Sequence, residues 1–333
     1  MNYSFLDFLG LLGAVGLFLY GMKVMSEGLQ KAAGDRLRNI LSAMTRNRFT
    51  GTATGFLITA LIQSSSASTV MVVSFVNAGL MTLSQSMAVI MGANVGTTFT
   101  AWVIALFGFS VNISSFVLPM LGIAVPLLFA NRSRTKSIGE FLVGFAFLFM
   151  GLDLISKYVP DLQTNPEMFE FLTRYTTMGY GSVWIFMLVG VVLTMIIQSS
   201  AATFAITLIM CSKGWIGFDL SCAIVLGSNI GTTITPILAS LSGNTAAKRT
   251  AMGHLLFNLL GTVWCMTLFY PFVNLTTWLT EVFGFGNPTE LVGFVKHIEL
   301  TQPELYNHLF DNSLPAGHDV MMKICLLYTS DAA

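Results

Sequence analysis

Long apolar runs alternate with short polar connections along this chain. Each run approaches the roughly 20 residues that an α-helix needs to cross a bilayer, and the alternating segments of about ten residues that build membrane barrels are absent. The pattern therefore predicts an all-α, polytopic membrane protein. The eight apolar runs cover residues 8–24, 56–80, 88–106, 116–130, 138–155, 183–210, 223–241 and 255–273.

Two stretches of small polar residues interrupt these runs, and each of them occurs twice. QSSSAS at residues 63–68 returns as QSSAAT at 198–203, and GANVGTT at 92–98 returns as GSNIGTT at 227–233. The offset is 135 residues in both cases. Two polar motifs at matching places in apolar sequence predict two repeats with one binding site between them, an arrangement typical of secondary transporters.

Composition agrees with a membrane location. Hydrophobic residues make up 54% of the 333 residues and charged residues only 10%, whereas a soluble domain carries about 25% charged residues. A net charge of zero gives no reason to expect a nucleic-acid partner. Neither metal-ligand spacing nor a catalytic motif is present. We therefore expect a multi-pass protein of the cytoplasmic membrane that is not an enzyme and has no cofactor.

Charge sets the orientation of the helices. Basic residues cluster at 31–48, 132–136 and 248–249, whereas residues 161–180 are mainly acidic. The positive-inside rule places the three basic clusters in the cytoplasm and the acidic stretch outside. The first apolar run then leads inward, and the run that begins at residue 138 leads outward.

The two repeats are predicted to be inverted relative to each other. LYG at 19–21 and FMG at 149–151 mark corresponding helices that cross in opposite directions. Residue 48 is expected inside and residue 110 outside, so the chain between them must cross the membrane an odd number of times. Two apolar runs lie there, however. One of them therefore folds back as a re-entrant hairpin. The same parity holds for residues 181–248.

The repeats divide the chain into three parts. Residues 1–130 are expected to form the first inverted repeat with a connecting helix, and residues 131–273 the second with a following helix. Residues 274–333 form a C-terminal segment whose last residues fit no pattern of the preceding sequence. We expect this segment either to be truncated or to end in a non-native translated tail.

The repeated motifs carry the candidate chemistry. A helix broken at membrane depth exposes amide N–H groups that favour an anion and carbonyl oxygens that can ligate Na⁺. Serine, threonine, asparagine and glutamine side chains add donors and acceptors. The predicted substrate and Na⁺ ligands are Gln63, Ser64, Ser65, Ser66, Ser68, Asn94, Thr97, Thr98, Gln198, Ser199, Ser200, Thr203, Asn229, Thr232 and Thr233.

The glycines of these motifs have a second interpretation. Gly92-x-x-x-Gly96, Gly227-x-x-x-Gly231 and Gly51-x-x-x-Gly55 are spaced as in close helix–helix contacts within membranes. Packing alone does not require a glutamine followed by two serines at the same depth of both halves. The sequence thus favours packing for the glycines and ligand binding for the QSS segments.

At these residues the chain resembles the sodium-dependent phosphate (Na⁺/Pi, type II) cotransporter family, including its bacterial members. The resemblance rests on residues 63–68, 92–98, 198–203 and 227–233 and on GHLLFN at 253–258. It implies an inverted-repeat transporter with re-entrant hairpins and Na⁺-coupled phosphate movement. It also implies that Gln63, Ser64, Ser65, Ser66, Gln198, Ser199 and Ser200 line the substrate and Na⁺ site.

The resemblance implies partners as well as one departure. Inorganic phosphate, Na⁺ as the coupling ion and the lipid bilayer are the expected partners. Many bacterial relatives carry a PhoU-like cytoplasmic domain, which is not expected on this chain. The second motif has Ala201 where many relatives have a third serine, so one hydroxyl ligand is missing.

Two other functions fit the same residues. Hydroxyls and amides could equally hold sulfate or a dicarboxylate, and no arginine in the motifs decides between these anions. The chain could also be a non-transporting membrane partner in phosphate signalling. The polar motifs at membrane depth argue against that scaffold, because scaffolding needs no polar cavity.

Overall fold

A computed structural model describes residues 4–33, 47–110, 113–158, 175–212, 215–282 and 287–288. Every regular element within these ranges is an α-helix, which confirms the predicted all-α class. The helices are α1 (Phe5–Ala33), α2 (Arg48–Ile62), α3 (Ser65–Asn77), α4 (Leu83–Ser110), α5 (Ile113–Leu128), α6 (Ser133–Tyr158), α7 (Tyr180–Ile197), α8 (Ser200–Ser212), α9 (Phe218–Thr232), α10 (Ile234–Ser240), α11 (Thr245–Thr267) and α12 (Phe269–Val282).

Several of these helices are long and apolar enough to span a membrane. α1, α4, α6, α7 and the continuous pair α9–α10 meet this test, and α11 with α12 forms a further candidate that is bent by 84°. α3 and α8 are apolar but have only 13 residues each, about 20 Å of helix against a core of about 30 Å. The chain is therefore a multi-pass membrane protein with additional short helices.

The first repeat contains a re-entrant hairpin. α2 and α4 run parallel, because Gly51 lies against Ala88 and, farther along both helices, Thr59 lies against Gly96. The chain that joins them must return from the end of α2 to the start of α4, and α3 provides this return. The apolar run predicted at 56–80 is therefore two antiparallel helices, and α4 makes the single crossing.

The second repeat reproduces this arrangement. α7 and α9 are parallel, since Met187 lies against Gly227 and Thr194 lies against Gly231. α8 runs back between them. The corresponding contacts in the two repeats, such as Thr59 with Gly96 and Thr194 with Gly231, are again separated by 135 residues.

Contacts between the repeats show that they are inverted. The Ser86 hydroxyl of α4 lies 3.2 Å from the Thr250 hydroxyl of α11. Eight residues later on both helices, Asn94 bonds to Asn258, so α4 and α11 are parallel. α11 is antiparallel to α9–α10, because Thr262 bonds to the Leu226 carbonyl while the start of α11 packs beside α10. Hence α4 runs opposite to its counterpart α9.

α1 and α6 form a second antiparallel pair that supports both hairpins. Gly21 lies against Leu148 and Gly151 lies against Phe18, so corresponding positions of the two repeats contact each other reciprocally. An ion pair between Lys31 and Glu140, 2.7 Å long, joins the same two helices. The LYG and FMG segments thus belong to close helix packing.

The C-terminal part is described only in its beginning. The boundary predicted at residue 273 lies inside α12, Phe269–Val282, and residues 289–333 are outside the described residues. Most of the acidic stretch at 161–180 is also outside them.

Candidate functional site

Each hairpin turns at a glutamine with unusual backbone geometry. α2 ends at Gln63 with φ 58° and ψ 27°, and α7 ends at Gln198 with φ 56° and ψ 28°. In the described part of the chain these are the only non-glycine residues with positive φ. The left-handed conformation costs a residue with a Cβ roughly 1–2 kcal/mol. Strain of this kind tends to be retained at functional sites.

The backbone around both glutamines is tied down in the same way. The Gln63 N–H donates to the Thr59 carbonyl and the Gln198 N–H to the Thr194 carbonyl, each over 2.7 Å. Ser26 of α1 donates from its hydroxyl to the Ile62 carbonyl, also over 2.7 Å. The first break is therefore fixed both by its own helix and by α1.

A serine begins the helix that follows each break. The Ser64 hydroxyl accepts from the Ala67 N–H, and the Ser199 hydroxyl accepts from the Ala202 N–H, both over 3.2 Å. These caps leave the N–H groups of the first two residues of α3 and α8 without an intrahelical partner. Two such amides at the positive end of a helix dipole form a favourable position for an anion.

The remaining hydroxyls of the two QSS segments lie beside these amides. Ser65 and Ser200 are buried. The Ser68 hydroxyl donates to the Ser64 carbonyl over 2.9 Å, and the Thr203 hydroxyl donates to the Ser199 carbonyl over 3.3 Å. Ser66 and Ala201 are both half-buried, so the expected loss of one hydroxyl in the second repeat lies at the first turn of α8.

The two breaks differ in how their buried oxygens are satisfied. In the second repeat the Thr194 hydroxyl donates to the Thr203 hydroxyl over 2.8 Å. In the first repeat the buried Thr59 hydroxyl and the Gln63 side-chain carbonyl lack a partner, while the Gln63 amide donates to the Ala60 carbonyl. Two unpaired oxygens at one break can accept from water or ligate Na⁺.

The threonines of the GxNxGTT motifs bond within their own helices. The Thr97 and Thr232 hydroxyls donate to the Ala93 and Ser228 carbonyls, at 3.1 and 2.9 Å. Thr98 and Thr233 donate to carbonyls three residues earlier, each over 2.7 Å. All four side chains are buried. In this structure the four hydroxyl hydrogens are used within their own helices and are not available to a ligand.

The glycines of the same motifs occupy helix contacts. A Cβ at Gly92 would lie 2.9 Å from the Phe56 nitrogen, and one at Gly227 would lie 3.0 Å from the Val191 nitrogen. Both glycines are required because the helix backbones approach too closely for any side chain. The packing interpretation of these glycines is confirmed.

Asn94 and Asn229 are half-buried on α4 and α9. Asn94 bonds to two residues of α11, Asn258 at 2.9 Å and His254 at 3.3 Å. In the sequence, His254 and Asn258 contributed only to the family resemblance. Their spacing of four residues in the apolar α11 was the signal that could have marked them as a polar pair on one helix face.

The described part of the chain buries no charged side chain, and it contains no group of three His, Cys, Asp or Glu that could hold a metal ion. The ion pairs of Lys23 with Glu27 and of Lys157 with Asp153 have exposed lysines. As far as the described residues show, the surroundings of both breaks are thus neutral and polar. The structure brings residues 63–68 together at one break and 198–203 at the other.

The family model described as Na⁺/Pi-cotransporter matches residues 17–157 and 165–287. The chain belongs to the Na⁺/Pi-cotransporter family. The matched ranges include both helix breaks, the larger part of the α1–α6 pair and all of α11. The predicted membership is therefore confirmed, and it makes the chain a member of a transporter family.

Individual relatives of this Na⁺/Pi-cotransporter family member differ in their names. The "Putative inorganic phosphate export protein YjbB" of Salmonella typhimurium is 31% identical over 81% of this chain and 48% of its own length. The "Uncharacterized protein YqeW" of Bacillus subtilis is 33% identical over 79% of this chain and 82% of its own length. The rat "Sodium-dependent phosphate transport protein 2A" is 39% identical over 29% of this chain and 15% of its own length.

The chain thus spans about half the length of the Salmonella relative and most of the Bacillus one. No solved structure matches it.

Proposed function

We propose that this protein is a secondary transporter that couples Na⁺ to the movement of inorganic phosphate across the cytoplasmic membrane. The observation that carries the proposal is the pair of left-handed glutamines, Gln63 and Gln198, in two inverted repeats. Each one ends a helix and opens the N-terminus of the next. Two such openings on opposite sides of a pseudo-twofold axis suit a site that faces each side of the membrane in turn.

Phosphate fits the donors at these breaks. Free amides and serine hydroxyls supply hydrogen bonds to several oxygens of one anion. The neutrality of the described site explains the need for Na⁺. A dianion in a site without a buried cationic side chain requires a counter-charge, because burying an unpaired charge is costly. Bound Na⁺ provides this charge, and neutral oxygens such as those of Thr59 and Gln63 are suitable ligands for it.

Thermal unfolding of the purified protein in detergent tests the site. Phosphate at about 100 times its dissociation constant is expected to add about 2.7 kcal/mol to the free energy of unfolding. We expect this gain in Na⁺ and not in K⁺. A gain in unfolding free energy from sulfate or a dicarboxylate that equals the gain from phosphate at the same concentration would contradict a site that selects phosphate.

Two serines of α3 provide a matched pair of variants. Ser66→Ala removes a hydroxyl at the first turn and is expected to reduce the gain from phosphate or Na⁺. Ser74→Ala removes an exposed hydroxyl that bonds to the Val70 carbonyl and is expected to keep the full gain. Equal gains in both variants would place the ligands away from the first break.

A further inference from the structure

A closed ring of hydrogen bonds joins α4 of the first repeat to α11 of the second. His254 Nε2 lies 3.3 Å from Asn94 Oδ1, Asn94 Nδ2 lies 2.9 Å from Asn258 Oδ1, and Asn258 Nδ2 lies 3.1 Å from the His254 carbonyl oxygen. His254 and Asn258 are buried. The positions equivalent to them in the first repeat are Pro119 and Ile123, so the ring exists on one side of the pseudo-twofold axis only.

The ring can be assembled in one direction only. The His254 backbone carbonyl can accept but not donate, so Asn258 must turn its NH₂ group toward that carbonyl. Asn258 Oδ1 then faces Asn94, which must donate from Nδ2. Asn94 Oδ1 in turn faces His254 Nε2, and Nε2 must therefore carry the proton. Both amide orientations and the imidazole tautomer follow from one backbone oxygen.

The other imidazole nitrogen agrees with this assignment. His254 Nδ1 is buried and has no hydrogen-bond partner. Because Nε2 already carries a proton in the ring, a second proton on Nδ1 would create a buried imidazolium cation with an unsatisfied N–H donor, which is costly. The ring therefore uses one donor and one acceptor of Asn94 and leaves one N–H hydrogen and one oxygen lone pair in fixed directions.

We propose that His254 and Asn258 are positioning residues for the transport of phosphate. They fix the side-chain amide of Asn94, a predicted ligand in the first repeat, through contacts made from the second repeat. The proposal rests on the proposed function, since the consequence of a misplaced Asn94 is weaker binding of phosphate or Na⁺. The ring itself is independent of that function.

Transport kinetics in proteoliposomes test the positioning role. His254→Gln can still place an NH₂ donor near the position of Nε2, whereas His254→Leu removes the donor and keeps similar volume. We expect His254→Leu to raise the apparent KM for phosphate or Na⁺ about fivefold, the factor that corresponds to one typical hydrogen bond, with a smaller effect on the maximal rate. His254→Gln should recover most of the wild-type KM.

Thr250→Val is the matched control. It removes the buried hydroxyl contact with Ser86 on the same two helices but leaves the ring intact, so the KM should not change. The contrary result is that Thr250→Val and His254→Leu have equal effects, which are confined to the maximal rate or to the amount of folded protein. That result would show that the ring serves only helix packing, and it would overturn the proposal.

The imidazole tautomer gives a readout that needs no transport. The chain has four histidines, so the ¹⁵N resonances of His254 are identified as those missing from His254→Gln. We expect a protonated Nε2 and an unprotonated Nδ1. A protonated Nδ1 with a bare Nε2 would overturn the ring even if transport is normal. Conversely, the expected tautomer in a protein that moves no phosphate would contradict the proposed function and not the ring.

Discussion

At the scale of single residues, Gln63 and Gln198 combine an unfavourable backbone with a polar side chain. The left-handed conformation at both positions is one that glycine adopts without penalty. Glycine in place of either glutamine would relieve about 1–2 kcal/mol of steric cost. The retention of glutamine at both breaks is explained if its amide binds a transported ion.

This view predicts opposite effects of one substitution on stability and activity. Gln63→Gly and Gln198→Gly should unfold at the same temperature as the wild type or higher, because the relief of strain exceeds or offsets the roughly 0.5–1 kcal/mol of added chain entropy in the unfolded state. Both variants should lose phosphate transport. Thermal unfolding and uptake measured on one preparation check this. A glycine variant that transports normally would show that the glutamine side chains have only a local structural role.

At the scale of the helices, close backbone contacts define each hairpin. α2 approaches α4 at Gly55 and Gly92, and α7 approaches α9 at Gly190 and Gly227. A side chain at any of these positions meets backbone atoms, which cannot move aside as a flexible side chain can. The hairpin and its crossing helix are therefore closely packed against each other in each repeat.

A methyl group at one of these glycines is expected to push the hairpin away from its crossing helix. Gly92→Ala places a Cβ directly against the Thr52 carbonyl and should cost about 1–3 kcal/mol, as overpacking does elsewhere. Gly122→Ala on α5 is the control, because no atom lies within 4 Å of its Cβ. Thermal unfolding of the two variants measures the difference. A wild-type midpoint for Gly92→Ala would contradict the close contact of α2 with α4.

The sequence predicts the hairpins by parity but does not locate their ends. The apolar run of the first hairpin is predicted to start at residue 56, whereas α2 starts at Arg48, because the first turns of α2 contain threonine and glycine, which lower hydropathy without breaking a helix. The break at Gln63 was predicted from its polar neighbours. The ring of Asn94, His254 and Asn258 was not, because residues 164 positions apart are brought together only by the packing of α4 on α11.

At the scale of the whole molecule, the two repeats are related by inversion. α4 runs opposite to α9, and α1 runs opposite to α6. Because α7 is parallel to α9, α4 and α7 also run in opposite directions. The turn before α4 and the turn before α7 must therefore lie on opposite sides of the membrane. On the charge rule the first is cytoplasmic and the second external.

Cysteine labelling tests this inversion. Leu80 and Met178 are exposed in these two turns, while Cys211, Cys222 and Cys265 are buried. In a background without native cysteines, a membrane-impermeant maleimide should label Met178→Cys in right-side-out vesicles and Leu80→Cys in inside-out vesicles. Labelling of both from one side would contradict the inverted arrangement.

Energetics at this scale restrict the coupling. Moving HPO₄²⁻ inward against about 100 mV costs about 4.6 kcal/mol, whereas a tenfold Na⁺ gradient supplies about 1.4 kcal/mol per ion. One Na⁺ leaves a net negative charge that costs about 2.3 kcal/mol, so it cannot concentrate phosphate. Two Na⁺ make the cycle electroneutral and supply about 2.8 kcal/mol, enough for roughly 100-fold accumulation. If uptake is the direction, we expect at least two Na⁺ per divalent phosphate.

Uptake of radioactive phosphate into proteoliposomes with an inward Na⁺ or K⁺ gradient tests the central claim most directly. We expect uptake only with Na⁺, a Hill slope for Na⁺ above one at saturating phosphate, and no uptake by folded Gln63→Ala or Gln198→Ala protein. Equal uptake with both cations, or uptake that survives both substitutions, would contradict Na⁺-coupled phosphate transport through the paired helix breaks.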